Sequence, residues 1–167
     1  MLNELKELEA RLPELLAQPG IWNSLLIDYY PPKVERLWTQ LGEQRLMLHV
    51  IHPCAQDEAL WHPHPWPSAI KILSGRYEMG CGYGRGIKTP PTSHTLILAA
   101  GSSYEMLHRD GWHYVRPLDA PSHSLMLIGK PWKRKRAMPS APDSPLNPLQ
   151  IARAAAILAE FRQLVGA

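Results

Sequence analysis

The sequence predicts an all-β sandwich or barrel flanked by a helix at each end. Three observations carry this reading. Short runs rich in Val, Ile, Leu, Thr and Tyr recur at roughly 8–12-residue spacing between Pro32 and Arg136, with turn residues between them. Seventeen prolines and eleven glycines in 167 residues exclude a long helical bundle through the middle of the chain. Both ends, by contrast, carry apolar residues at helical spacing. The length suits one domain, and 45% hydrophobic with 20% charged residues is a globular composition.

At the N-terminal end Leu2, Leu5, Leu8, Leu12, Leu15 and Leu16 alternate with Glu and Lys along one helical face. Pro13 kinks this helix or starts a second one, and Pro19-Gly20 ends it. Residues 1–31 are therefore expected to form an N-terminal helical extension. In the barrel region, residues 32–137, Val34 to Leu41 and Arg45 to His52 flank the turn Gly42-Glu43-Gln44 as a hairpin. Further strands are expected over Ser68 to Leu73, Glu78 to Tyr83, Thr95 to Ala100, Tyr104 to Leu107, His113 to Val115 and Ser124 to Ile128. Residues 138–167 form a proline-rich tether, Met138 to Pro145, and a C-terminal helix. Asn147 is placed to cap that helix, Pro148 suits its first position, and Gly166 closes it. The apolar stripes on these helices need a partner: the outer face of the barrel, or another subunit.

A net charge of +3 is too weak to imply nucleic acid, and no such partner is expected. Cys54 and Cys81 form no CxxC pair, so a reducing cytoplasm is the expected setting. Met1 to Leu16 lacks the apolar core of a signal peptide, and no apolar run approaches the ~18 residues of a membrane span. Six Trp and six Tyr against one Phe suggest a pocket rim or an interface.

Chemistry concentrates in the eight histidines. His62-Pro63-His64-Pro65 places two imidazoles on one face of an extended chain, because side chains two apart in a strand point the same way. The flanking prolines exclude helix. Two such imidazoles can chelate one divalent metal. If they face inward, Trp66, Ser68, Ile70 and Ile72 do too, and Pro67, Ala69, Lys71 and Leu73 face away. His113 shares its face with Val115.

Ser68 stands four residues after His64, and Gly75 seven further on. Here the sequence resembles the first motif of the cupin superfamily, an HxH followed by Glu and then Gly, with Ser68 in the place of the Glu. Gly101 to His113 resembles the second motif, which supplies one more histidine; His113 falls one residue late, the motif's Pro is absent, and Pro117 replaces the usual Asn. The resemblance covers roughly Pro32 to Lys135. It implies a cupin-like double-stranded β-helix, a jelly-roll barrel, with helical extensions at both ends. It implies that His62, His64 and His113 hold one divalent metal ion without an anionic ligand. Three-histidine cupin sites resemble those of thiol dioxygenases, so Fe(II) is favoured, with Zn, Mn, Ni or Cu open. A metal-dependent dioxygenase acting on a small-molecule substrate is the leading expectation. A non-redox metal isomerase or lyase and a non-catalytic small-molecule-binding cupin are the alternatives. Pairing of sheets into a homodimer is a further expectation from the superfamily.

Tyr77, Tyr83 and Tyr104 are candidates to donate to a metal-bound ligand. Ser68, neutral and short, is expected to leave a coordination position open. Arg45, His49 and Arg85 either bind a substrate carboxylate or lie on the solvated surface. Gly80, Gly82, Gly84 and Gly86 strip one strand face bare for a close backbone approach, or form a loose loop. Lys130 to Arg136, the densest positive run, either touches nucleic acid or an acidic partner or is an exposed strand and turn leading to the tether, and His94 and His123 read as exposed residues beside strand ends.

Overall fold

The computed structural model describes residues 1–86, 88–133 and 145–166. Most of the tether, and the basic run beyond Lys133, lie outside the described residues. Among the described residues ten strands form two antiparallel sheets. In chain order they are β1 (Asn23–Ile27), β2 (Val34–Leu41), β3 (Gln44–Ile51), β4 (His62–Pro63), β5 (Ser68–Ser74), β6 (Arg76–Tyr83), β7 (Thr92–Ala99), β8 (Ser103–Met106), β9 (Gly111–Pro117) and β10 (Ser122–Ile128). The large sheet runs β1-β2-β3-β10-β5-β8, the small one β4-β9-β6-β7. Ile51 and Ile72 of the large sheet pack against Tyr77, Met79 and Val115 of the small one, so the two sheets face each other as a jelly roll.

Alternation within each strand decides which residues see the interior. On β5, Ile70 and Ile72 pack inward, and Ala69 and Leu73 join the cluster on the other side. That outer cluster is where the helices sit. α1 (Leu2–Ala10), α2 (Leu12–Leu16) and α3 (Ile151–Val165) bury Leu5, Leu12, Leu16, Ile157 and Phe161 against Leu37, Leu48 and Leu127 of the large sheet. Pro13 thus opens a second short helix. The apolar stripes find their partner on the barrel of the same chain.

Two boundaries differ from the sequence reading. Residues 1–31 hold strand β1 as well as helices, and β1 pairs with β2 from Asn23↔Trp38 to Ile27↔Val34. The C-terminal helix begins at Ile151, not Pro148, and Asn147 does not cap it. Instead the Leu26 N–H donates to the Asn147 carbonyl (2.8 Å) and the Leu149 N–H to Ser24 Oγ (3.1 Å). Residues 147–149 therefore run extended beside β1 before the helix can start. Gly166 closes α3 in the left-handed region, φ 69°. The β2–β3 turn is Gly42-Glu43, with Gln44 already paired to Leu41.

Candidate metal centre and its cavity

Strand β4 is only two residues long, yet it fixes the centre. His62 lies directly opposite His113 of β9. Backbone bonds from Trp132 to the Pro65 carbonyl and from Gly129 to the Pro67 carbonyl, both 2.9 Å, hold the proline-spaced segment extended. The three rings then converge: His113 Nε2 is 3.0 Å from His64 Nε2 and 3.3 Å from His62 Nε2. Metal–nitrogen bonds of about 2.0–2.1 Å at tetrahedral angles set nitrogens roughly 3.3 Å apart, so this separation suits a single ion.

Tautomer and charge suit it too. The His62 Nδ1–H donates to the Leu60 carbonyl (3.0 Å), which can only accept. His64 Nδ1 lies 2.7 Å from Ser68 Oγ. The first contact places the His62 proton on Nδ1 and leaves its Nε2 lone pair for a metal; with Ser68 Oγ accepting, the second does the same for His64, the usual supporting pattern for ligating histidine. Burial pushes all three pKa values down, those of His64 and His113 well below the ordinary range, so the rings stay neutral. His113 Nδ1 is buried with no hydrogen-bond partner, so only two of the three rings are braced. The donor set fits one divalent ion: three neutral imidazoles and, within the cluster, no carboxylate or thiolate.

Ser68 plays a different part from the expected one. It is fully buried, and its hydroxyl meets His64 at Nδ1, the side of the ring away from the convergence point. It braces a ligand and does not border the coordination space. The sequence register was right, but a strand residue four positions on reaches the back of the imidazole.

Of the three tyrosines, two reach the cavity. Tyr77 and Tyr104 line it, and the Tyr77 hydroxyl donates to that of Tyr104 at 3.1 Å. The Tyr104 ring meets the His113 ring edge-on, with centroids 6.2 Å apart. Burial raises the pKa of both phenols, so they are donors and not bases. Tyr83 does not belong to the site: it ends β6, is 61% exposed and lies against the His108 ring, tilted 39° to it. Its parity matches Tyr77, but the strand has run past the cavity before reaching it.

The cavity, about 310 Å³, opens between the sheets beside the histidines. Three of its polar wall residues form a row across the large sheet. Arg36 on β2 is directly opposite His49 on β3, which is directly opposite Ser124 on β10. The Arg36 Nε–H donates to His49 Nε2 at 2.8 Å. Burial lowers the Arg36 pKa to about 10, still a cation at neutral pH, and holds His49 neutral. His49 thus lies inside and not on the solvated surface. Arg45 lies against Trp38, 4.9 Å from its ring, and Arg85 is 93% exposed. Sequence reasoning missed Arg36 and Ser124. The available signal was parity: the Val34–Leu41 / Gln44–Ile51 hairpin puts Arg36 on the face of Val34 and Trp38.

The alternating glycines also resolve. Gly80 and Gly82 lie on β6, where a Cβ at Gly80 would meet the Tyr114 ring at 2.0 Å and one at Gly82 would meet Pro90 at 2.9 Å. The bare face is filled by the protein's own rings, not by a ligand. His94 is exposed, whereas His123 is half-buried, within hydrogen-bond reach of Ser74 (2.8 Å) and Glu160 (3.1 Å).

Fold and site together define a two-sheet jelly roll with a three-histidine cluster. No protein-family model matches the chain, and no curated protein matches it in sequence. Among solved structures the chain is similar to Fe(II) HppE, at 13% identity and TM-score 0.53, over 66% of this chain and 57% of that one. It is similar to hydroxypropylphosphonic acid epoxidase from S. wedmorenis, at 15% identity and TM-score 0.52, over 66% and 56%. An RmlC-like cupin from Shewanella frigidimarina NCIMB 400 aligns over 66% and 86%, at 13% identity and TM-score 0.47. The chain spans little more than half the length of the first two, and at these identities the likeness is one of fold. Among the described residues no helix is long and apolar enough to cross a membrane.

Proposed function

We propose that this protein is a metal-dependent enzyme acting on a small organic molecule, with Fe(II) held by His62, His64 and His113 and a dioxygenase-type reaction. The observation that carries the reading is the convergence of three neutral Nε2 atoms on one wall of a cavity whose lining is mainly apolar. The iron named for the HppE structure, whose fold the chain shares, supports Fe(II) over the other metals. A divalent ion there supplies Lewis acidity and, as iron, redox chemistry with dioxygen.

The chain's own residues do the rest. Leu60 and Ser68 orient two ligand rings. The Tyr77 hydroxyl donates to Tyr104, so the Tyr104 proton remains free to be donated into the cavity. Its raised pKa keeps that proton in place until a stronger base forms beside it. The apolar walls exclude water from the reacting molecule.

The test is elemental analysis of protein purified without chelator, for wild type, His64→Ala and His113→Ala. One equivalent of iron in the wild type and about tenfold less in either variant is expected. Zinc or manganese in place of iron would turn the reading to a non-redox isomerase or lyase. Unchanged metal content in the variants would overturn the site.

A further inference from the structure

The wall facing the histidines carries an observation the metal centre does not use. Arg36 is half-buried, and among the described residues no carboxylate pairs with it; its side-chain hydrogen bond goes to a neutral imidazole. That bond uses Nε and leaves the terminal N–H groups to the cavity that Arg36 lines. Ser124, two places along the same cross-strand row, is 1% exposed, and its hydroxyl has no partner. A half-buried cation turned to a cavity without a counter-ion, and a buried hydroxyl without a partner, are both costly unless a ligand satisfies them. A planar guanidinium whose edge is fixed by His49 is shaped for a carboxylate.

The remaining walls decide what else the ligand carries. Tyr29, Trp66, Ile70 and Met126 line the cavity, whereas no Asp or Glu does. An ammonium group would find no counter-charge there, and it would face Arg36 and any bound divalent ion. An uncharged body would bury apolar surface.

We propose that the cavity takes a small carboxylic acid with an apolar body and no ammonium group, its carboxylate held by the Arg36–His49–Ser124 row opposite the three histidines. The substrate assignment rests on the proposed function; the binding site does not. His49 is a positioning residue: as acceptor it fixes the guanidinium edge. Ser124 completes the carboxylate's hydrogen bonds.

The experiment measures binding of four matched probes to the full chain by calorimetry: 3-phenylpropionate, 3-phenylpropan-1-ol, 3-phenylpropylamine and phenylalanine. Hexanoate and hexanol serve as an unbranched pair. At least one acid should bind about tenfold or more tightly than its alcohol, and the amine and amino acid should not bind. Arg36→Met should erase the acid preference while metal content is unchanged, and Arg36→Lys should keep part of it. If Arg36→Met does not fold, Arg36→Lys and the wild-type acid-to-alcohol ratio decide. A ratio near one for both pairs, or an acid preference that survives folded Arg36→Met, overturns the proposal. The two readings fail separately. Metal content insensitive to His64→Ala sinks the metal centre and leaves the acid preference standing; absent acid preference with His64-dependent metal does the reverse.

Discussion

Glu35 and Arg36 are neighbours on β2 and face opposite sides of the large sheet. Outward, Glu35 is buried and receives two bonds from Arg153, at 3.0 and 2.7 Å, one contact from His52 at 2.9 Å, and the charge of Lys33 at 3.8 Å. Arg153 also pairs with Glu160, and Glu160 with His123. This network closes on itself and pins α3 to the barrel. Inward, Arg36 has a neutral imidazole and Ser124 has nothing. The same strand therefore carries a charge satisfied by the fold and a charge left for something else. Charge completion separates the structural face of the sheet from the proposed binding face better than polarity does, since both faces contain ionised side chains shielded from water.

The comparison breaks first if the outer face is not structural. Phe161 is fully buried in the cluster between α3 and the large sheet. Phe161→Ala should cost about 3–5 kcal/mol in urea denaturation, because it leaves a cavity as well as losing burial. Metal content of the folded fraction should not change. A loss below 1 kcal/mol would mean that α3 is not part of the core.

A smaller effect comes from the charge network on that face. Arg153 holds the Glu35 carboxyl down to about 2, against an ordinary 4.5. A depressed carboxylate contributes stability that is fully present above its unfolded pKa and is lost as pH falls through the folded one. Stability should therefore drop by about 2–3 kcal/mol between pH 4.5 and 2 on this account. Glu35→Gln should lower stability at neutral pH and flatten that acid limb. An acid limb of unchanged slope in the variant would place the loss elsewhere.

The two faces were not equally legible in the sequence. The inner one could be read in part, because strand parity is local: the HxH spacing placed His62 and His64 together, and Ile70 and Ile72 fell on the side expected. His113 needed the family resemblance, since nothing local connects it to a strand fifty residues earlier. Arg36 and His49 meet only through hairpin register, and with Gly42-Glu43 as a two-residue turn that register pairs them directly. The outer network was not legible at all, because Glu35 and Arg153 are separated by 118 residues. Strand β1 escaped notice for a related reason: Asn23–Ile27 follows a helix and a Pro-Gly turn, and only its pairing with β2 makes it a strand. Tyr83 shows the limit of parity, which gives the face of a strand but not how far the cavity extends along it.

The smallest expected effect sharpens the contrast within the inner face. Ser68 and Ser124 are both buried serines on neighbouring strands, β5 and β10. Ser68 spends its hydroxyl on His64 Nδ1 at 2.7 Å, while Ser124 has no partner. Ser68→Ala removes the hydroxyl that braces His64 at Nδ1. The ring can then present a protonated Nε2, which cannot ligate. Loss of such a supporting bond weakens metal affinity by about tenfold or more. Ser124→Ala removes an unsatisfied hydroxyl, so stability should hold or rise slightly, and metal affinity should stay at the wild-type level. Competition for the bound metal by a chelator, followed on both variants, measures the difference. Equal metal loss from the two would mean that Ser68 does not brace His64, and that the two serines do the same thing.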